Sequence, residues 1–328
     1  MSVPCVAVER ERGEAVRTRL ADVGALDGDH EIEVVDDTIY VPVTEPDAVP
    51  GDLRESVVER ELDERKRPRT PADILGYEPS LERLGDLVII DEDDDERARA
   101  IADAVVASDV PCDTVLNRAS PIEGDLRVRR WDVLAGNGTE TVHREYGHEF
   151  RLDIAEVYFS PRLATERHRV IEQVEPGESV VDMFAGVGPF AIPMAMRGAE
   201  VIAVDINPRA IEYLKANAHT NGVEAELTPI EGDVRELAVE YVGWADRLVM
   251  NLPHRAHEFL ETARELASDT CRLHYYDIQP KSDPFGHGEA RIRDVFSPEY
   301  DIDIVTRREV RSYAPHEVNV CLDIDLTR

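Results

Sequence analysis

Residues 180–195, VVDMFAGVGPFAIPMA, hold the pattern that decides the fold of this chain. An apolar run ends in Asp182, two glycines follow at Gly186 and Gly188, and a helix-like apolar segment comes next. Glycine permits tight turns and lets a ligand approach the backbone closely. The pattern predicts a strand, a turn and a helix, with a ligand held where the strand ends. The glycines alone would fit any strand-to-helix turn, so the following strands decide the kind of ligand.

Two further acidic residues end the next strand candidates. Asp205 comes 23 residues after Asp182, where a carboxylate accepts hydrogen bonds from both hydroxyls of a ribose. Asp233 is placed to bind an adenine amino group, with Val234 beside the ring. The turn lacks the G-x-G-x-x-G pattern of dinucleotide-binding folds and the lysine of a phosphate-binding loop. These acidic groups favour a cationic nucleoside, S-adenosylmethionine, over the alternative that the carboxylates only cap helices.

Strand-like and helix-like segments alternate from about residue 156 onward. Five strand candidates occur there, and a hairpin-like stretch follows them. The alternation predicts an α/β, Rossmann-like domain over 156–328, with a mostly parallel doubly wound sheet and a terminal antiparallel hairpin. Upstream, the patterns predict a small α/β domain over 1–60, a charged linker over 61–70 and an α+β domain over 71–155.

The composition is strongly acidic. The 328 residues include 69 Asp and Glu against 37 Lys and Arg, a net charge of −32, and only three of the basic residues are lysines. An acidic surface repels nucleic acid at low salt, but the Debye length is only ~3 Å at about 1 M salt. The acidic excess therefore predicts a halophilic protein and does not exclude an RNA partner.

Nothing in the sequence predicts secretion or membrane insertion. No apolar run reaches about 18 residues, and the N-terminus turns charged after a few residues. Cys5, Cys112, Cys271 and Cys321 are far apart and form no C-x-x-C pair, so no zinc site is expected. We expect a cytoplasmic protein without a metal ion or membrane contact.

A short polar corner follows the fourth strand candidate of the C-terminal domain. The stretch MNLPHRAHEF (250–259) places an amide at Asn251 and a rigid turn at Pro253. Enzymes that methylate exocyclic amines carry (D/N)-P-P-(Y/F) here, whereas this chain has Asn-Leu-Pro-His. We therefore expect the corner to orient a substrate ring whose proton is removed elsewhere. His254 and His257 are interpreted as surface or packing residues.

These motifs together resemble the archaeal tRNA methyltransferases that modify N1 of guanosine 37, beside the anticodon. The matching stretches are DMFAGVGPF, AVDINPRAIEYLKANAHTNGV, GDVRE, NLP, HYY, RSYAPHE and FSPRLATERHR. The N-terminal stretch from PCVAVERERGEAVR through TIYVPV resembles the small RNA-docking domain of one archaeal branch of that family. The resemblance implies S-adenosylmethionine as the methyl donor, RNA binding by the domain at 71–155, and tRNA as the partner. We expect no DNA partner, and we expect the protein to be a monomer.

The resemblance also implies which residues hold the cofactor and the nucleotide. The cofactor positions are Asp182, Phe184, Gly186, Gly188, Asp205, Asn207, Asp233, Val234 and Asn251. Asn251 and Pro253 also orient the guanine for catalysis. The positions that contact the nucleotide or its backbone are Tyr158, Arg162 and Arg167.

Guanine N1 carries a proton, so methylation there needs a base near the ring edge. The resemblance assigns this role to Glu166, in the L-x-x-E-R stretch. An arginine in GDLRVRR would stabilise the negative charge that moves onto O6. Arg127 is assigned to O6, with Arg129 or Arg130 as alternatives. Without the resemblance, a helix-surface ion pair with a nearby arginine such as Arg169 would be the simpler interpretation of Glu166.

Other functions stay open on the sequence alone. A related archaeal enzyme transfers the aminocarboxypropyl group of the same cofactor during wyosine synthesis at the same tRNA position. Its fold and motifs are similar, although Glu166 and the N-terminal domain favour methylation. A third possibility is a non-catalytic RNA-binding protein, which would have no reason to keep the acidic set intact.

Overall fold

Two compact units make up the chain in the computed structural model, which describes residues 2–328. The first unit ends at Arg69, and the second runs from Thr70 to Arg328. The narrower division predicted from the sequence, with its separate RNA-binding and linker segments, stays a prediction. No helix within the described residues is both long and apolar enough to cross a membrane.

The first unit is a four-stranded antiparallel sheet with one helix. The strands lie in the order β2-β3-β1-β4. The bounds are β1 (Ser2–Glu9), α1 (Gly13–Asp22), β2 (Glu33–Val35), β3 (Thr38–Pro42) and β4 (Val57–Glu61). Strands β2 and β3 form a hairpin, and Asp36 adopts a φ of +53° in the turn between them. Val6, Leu20 and Val41 belong to the core of this unit.

The second unit begins with a four-stranded sheet, β5-β6-β7-β8, and a separate hairpin of β9 and β10. The bounds are α2 (Pro71–Leu75), β5 (Leu81–Leu84), β6 (Leu87–Ile90), α3 (Asp95–Val106), β7 (Thr114–Arg118), β8 (Trp131–Ala135), β9 (Glu140–Glu145) and β10 (His148–Asp153). Strand β8 begins only at Trp131, and Arg127 turns the chain before it with a φ of +55°.

A seven-stranded sheet forms the rest of the second unit, in the order β13-β12-β11-β14-β15-β17-β16. Strands β11 to β15 are parallel, and β17 pairs antiparallel with β15 and β16. The five predicted strands and the terminal hairpin are confirmed. The bounds are α4 (Ala164–Ile171), β11 (Ser179–Asp182), α5 (Ala191–Met196), β12 (Glu200–Asp205), α6 (Pro208–Asn221), β13 (Leu227–Glu231), α7 (Val234–Leu237), β14 (Ala245–Met250), α8 (Leu260–Leu266), β15 (Ala267–Pro280), α9 (Gly286–Phe296), β16 (Asp301–Ala314) and β17 (Glu317–Thr327).

Apolar side chains cover both faces of this large sheet. Val180 and Ala203 belong to one buried cluster, and Val181 and Ile202 belong to another. Successive residues of a strand point to opposite faces, so the two clusters lie on the two sides of the sheet. Because both faces are buried, the strand ends are where polar groups can meet a ligand.

We predict that Gly188→Ala destabilises the protein more than Gly222→Ala. Both glycines have positive φ, +95° and +72°, so an added Cβ is strained at either position. At Gly188 the Cβ would also lie 2.5 Å from Leu214 Cδ1, whereas at Gly222 it would meet no atom within 4 Å. We expect an additional loss of about 1–3 kcal/mol at Gly188, measured by urea unfolding. Equal losses at the two positions would contradict this packing role.

Candidate active site

A pocket opens at the carboxyl ends of β11 to β14, beside the point where the strand order reverses. Gly186, Asp205, Asp233 and Asn251, each at or just after the end of one strand, line it, and we call it the strand-end pocket. Its empty volume of about 1200 Å³, open space at the mouth included, is larger than a small ligand needs. The pocket is therefore of the size class that holds small-molecule ligands.

Asp205 joins the first turn to the second strand. Its carboxylate accepts a hydrogen bond from the Gly186 N–H at 2.7 Å and one from the Asn207 N–H at 2.9 Å. Burial raises the pKa of Asp205, while these two backbone donors act in the opposite direction. Each oxygen keeps a lone pair for a further donor, as binding of ribose hydroxyls requires.

Asp182 lies behind the pocket wall rather than in it. The residue is 1% exposed, and its Oδ1 accepts only a long hydrogen bond, 3.4 Å, from the Phe184 N–H. The Oδ2 atom has no partner within residues 2–328. Burial, together with the nearby charge of Asp205, raises the pKa of Asp182 to about 7. A buried carboxylate without a partner is costly, so a cationic ligand in the adjoining pocket fits this position.

Asn207 and Asp233 cap helices and line the pocket at the same time. The Asn207 side chain accepts a hydrogen bond from the Arg209 N–H, and the Asp233 side chain accepts one from the Arg235 N–H. A side-chain hydrogen bond from Arg235 lowers the pKa of Asp233. Of the three carboxylates, Asp233 caps a helix and also lines the pocket, whereas Asp182 and Asp205 are not the N-cap residues of the helices that follow them.

Of the remaining predicted cofactor positions, most line the strand-end pocket and one does not. Phe184, Val234 and Asn251 line the strand-end pocket together with Gly186. Gly188 does not line it, and Leu214 and Ile192 occupy the space into which a Cβ at this position would point. The sequence pattern could not separate these two glycines, since both allow a turn and only one faces the ligand.

Arg127 reaches the pocket from the domain upstream of the large sheet. It adopts a left-handed φ of +55°, an uncommon state for arginine that recurs at functional sites. Its guanidinium lies 4.9 Å from the Tyr158 ring centroid, and its buried Nε has no partner among the described residues. Arg127 lines the strand-end pocket along with Asn251 and Pro253. Arg129, an alternative candidate, lines only an adjoining groove.

Glu166 is buried and is not among the residues that line the strand-end pocket. The residue is 4% exposed, and its carboxylate accepts hydrogen bonds from Arg169 at 2.7 and 3.0 Å and from the Tyr276 hydroxyl at 3.1 Å. The Nε of Arg308 lies 2.8 Å away. Tyr276 is two residues before Ile278, which does line the pocket, and two residues span about 7 Å along a strand. The ion pair with Arg169 is therefore buried rather than on the helix surface.

The three predicted nucleotide contacts lie in different surroundings. Tyr158 lines the strand-end pocket, and Arg162 lines the adjoining groove. Arg167 lines neither: it is 2% exposed and donates two hydrogen bonds to Glu145, at 2.8 and 2.5 Å, and a third to the Ser160 carbonyl at 3.1 Å. Burial alone would raise the pKa of Glu145, but the hydrogen bonds from Arg167 and His143 lower it. The position of Arg167 is that of a structural ion pair.

The β16–β17 hairpin brings residues that the sequence reasoning missed. Asn319 is 2% exposed, lines the strand-end pocket, and its Oδ1 has no partner within residues 2–328. Arg311 pairs with it in register and has a buried, unpartnered Nε in the same part of the chain. Tyr313 contacts His254 edge to face, with centroids 5.1 Å apart. The sequence held one signal for this part of the site, because polar residues share one face of the otherwise apolar strand in VNVCLDID.

The chain matches three protein-family descriptions along its length. The TRM5/TYW2 methyltransferase domain matches residues 141–300. The tRNA methyltransferase 5 N-terminal domain matches residues 5–49, and the TYW2 N-terminal domain matches residues 69–139. These matches follow one another without overlap and fall in both compact units.

Individual methyltransferases and a related transferase are similar to the chain in sequence or structure. The chain is 40% identical over 331 residues to the tRNA (guanine(37)-N(1))-methyltransferase Trm5b of Pyrococcus abyssi, covering 97% of each chain. It is 36% identical over 216 residues to the tRNA(Phe) (4-demethylwyosine(37)-C(7)) aminocarboxypropyltransferase of Pyrococcus horikoshii, covering 64% of this chain and 76% of that relative. The solved complex of aTrm5 and tRNALeu is similar, with a TM-score of 0.72, 33% identity and 99% of both chains covered.

We predict that Arg167→Ala acts on stability. Removing the arginine leaves Glu145 buried without its partner, which costs about 3–5 kcal/mol in free energy of unfolding. The double variant Arg167→Ala/Glu145→Ala should recover part of this loss, and urea unfolding measures both. Weakened tRNA binding in a fully stable Arg167→Ala protein would instead favour the nucleotide contact predicted from the sequence.

Proposed function

The chain belongs to the family of archaeal tRNA (guanine(37)-N1)-methyltransferases of the Trm5b type, and from that premise we propose its reaction and the role of each residue. The reaction is transfer of a methyl group from S-adenosylmethionine to N1 of guanosine 37 in tRNA. The observation that supports the residue roles is that one pocket is lined by two kinds of group: the acidic Asp205 and Asp233, and the set Asn251, Pro253 and Arg127. We assign the acidic groups to a cofactor end and the second set to a guanine end.

The acidic end holds the cofactor. Asp205 receives the ribose hydroxyls, Asp233 and Val234 receive the adenine, and Asp182 complements the positive charge from behind the wall. When bound, S-adenosylmethionine supplies a methyl group on a sulfonium, which needs no further activation. The chain therefore has to bind, align and exclude water at this end.

The other end holds the guanine. Asn251 and Pro253 orient the ring, and the free guanidinium of Arg127 stabilises the negative charge that develops on O6. Arg127 is preferred over Arg129 and Arg130 because it alone of the three lines the strand-end pocket. Tyr158, which also lines this pocket, would pack against the base.

Glu166 is the proposed general base that takes the N1 proton. Support comes from its buried carboxylate, which accepts a hydrogen bond from Tyr276, two residues before the pocket-lining Ile278. To reach the guanine, the Glu166 carboxylate must give up one of its present contacts. The ion pair with Arg308 is the candidate, because Arg308 lies on the open edge strand β16. Arg169 and Tyr276 would remain as the groups that position the carboxylate.

Aminocarboxypropyl transfer is the second candidate reaction. The two Trm5b methyltransferases match 97% and 99% of this chain, whereas the two relatives named for aminocarboxypropyl transfer match 64% and 75%. The match of residues 5–49 to the tRNA methyltransferase 5 N-terminal domain also favours methylation. Residues 1–60 would dock on the tRNA away from the anticodon and test its overall shape.

The cellular setting is part of the same proposal. The enzyme works in the cytoplasm at high salt, acts on tRNA and not on DNA, and functions as a monomer. Support for salt adaptation is the net charge of −32 with only three lysines. Support for a monomer is that the strand-end pocket combines cofactor and guanine positions from one chain.

We expect cofactor affinity to fall as the pH drops below about 7. In the free protein Asp182 is protonated below that pH, and a cationic cofactor favours its ionised form, so binding must release a proton. The dissociation constant should rise by up to about ten-fold per pH unit. Calorimetry in buffers of different ionisation enthalpy measures both quantities. Asp182→Asn should bind more weakly and lose this slope, whereas a slope that persists in that variant would exclude Asp182 as its source.

The reaction itself is tested with tRNA transcripts that carry guanosine or adenosine at position 37. Nucleoside mass spectrometry should show N1-methylguanosine from the first transcript and no product from the second. Glu166→Gln should reduce turnover at neutral pH by about 10²–10⁴-fold and leave cofactor binding by calorimetry intact. A product with an added aminocarboxypropyl mass would overturn the methylation proposal, and near-normal turnover of Glu166→Gln would remove Glu166 as the base.

A further inference from the structure

A groove adjoins the strand-end pocket and shares part of its wall. Its lining comes from the turn before β8, the segment 157–162, the corner after β14 and the β16–β17 hairpin. Arg127, Arg255 and Arg311 line both cavities, so the two spaces are continuous. We call this second space the arginine groove. When the target base occupies the strand-end pocket, the neighbouring nucleotides of the RNA chain must lie along a surface of this kind.

The charge of the arginine groove is opposite to that of the whole chain. Six arginines line it, at 118, 127, 129, 162, 255 and 311, against two carboxylates, Glu82 and Asp125. The chain as a whole carries a net charge of −32. A local excess of cations in so acidic a protein marks a place where an anion is expected.

The two carboxylates are already engaged by other arginines of the groove. Glu82 lies 2.7 Å from Arg118 and 2.8 Å from Arg162, and Asp125 lies 2.7 Å from Arg255. The other three arginines make no ion pair in the part of the chain that the structure describes; they are Arg127, Arg129 and Arg311. Since Arg127 has a role at guanine O6, two guanidiniums remain without a partner of opposite charge.

These two guanidiniums are partly removed from water. The Arg311 Nε is buried and donates to no partner within residues 2–328. Arg129 lies over the Trp131 ring, 5.5 Å from its centroid. Burial, followed by the charge of Arg118, lowers the pKa of Arg129. Partly buried cations without counter-charges destabilise the free protein, and a bound anion would offset that cost.

We propose that Arg129 and Arg311 bind a phosphodiester of the RNA backbone next to the target guanosine. A guanidinium donates two parallel hydrogen bonds to phosphate oxygens, a geometry that lysine lacks. Such direct contacts persist at high salt, where long-range attraction is screened. The proposal rests on the proposed function, because the continuity of the groove with the guanine end of the pocket identifies the anion as RNA backbone.

The test asks whether removing an arginine and removing a backbone phosphate charge have overlapping effects on kcat/KM. tRNA transcripts are prepared with a single neutral methylphosphonate at either linkage that flanks position 37. With the unaltered enzyme, the modified linkage that occupies the groove should lower kcat/KM by roughly ten-fold. Arg129→Ala and Arg311→Ala should show a similar loss with ordinary tRNA and no further loss with that methylphosphonate.

Two further variants make the result specific. Arg293→Ala, on the exposed side of α9, removes the same charge away from the groove and should leave kcat/KM and the methylphosphonate effect unchanged. Arg129→Lys keeps the charge without the two-point geometry and should give an intermediate loss. Calorimetry should show unchanged cofactor binding for all four variants, which separates a groove contact from misfolding.

The inference fails if the effects of the arginine substitutions and of the neutral phosphate linkages are independent of each other. If loss of either arginine and loss of either flanking phosphate charge multiply rather than overlap, Arg129 and Arg311 do not bind that backbone. The proposed function fails by a different observation, the absence of N1-methylguanosine with unaltered enzyme and unmodified transcript. The two failures are therefore distinguishable in the same set of reactions.

Discussion

The site depends on one constraint, the parallel direction of the strands β11 to β14. Parallel strands end at the same edge of a sheet, so polar residues that follow them in sequence become neighbours in space. The hydrogen bond from the Gly186 N–H to Asp205 fixes this edge, because it ties the turn after β11 to the end of β12. Every contact proposed for the cofactor uses a residue placed by that arrangement.

Buried charge is the second organising feature of this acidic chain. Arg167 and Glu145 attach α4 to β9, and Arg169 joins Glu166 to Asp323 of β17. Such groups are stable in the interior only when each has a partner of opposite charge. The proposed base therefore belongs to a network that holds it in place, and its use in catalysis requires a rearrangement at the edge strand.

Unpaired charge distinguishes the functional surfaces from this background. Within residues 2–328, Arg127, Arg129 and Arg311 line the arginine groove without carboxylate partners, and Asp182 Oδ2 is buried without a partner. The other three groove arginines are engaged by Glu82 and Asp125. The unpaired groups are therefore the ones for which we propose ligands, a cationic cofactor for Asp182 and RNA for the arginines.

The sequence by itself determined the doubly wound sheet, its five parallel strands and the set of residues at their ends, because strand periodicity and turn residues are local properties. It could not separate Gly186 from Gly188, or Arg127 from Arg130, because side-chain direction depends on what packs nearby. Only the tertiary structure placed Arg167 in a buried ion pair with Glu145, and Glu166 in contact with Arg169 and Tyr276. It also brought Asn319 to the pocket, since a register between distant strands cannot be read from either strand alone.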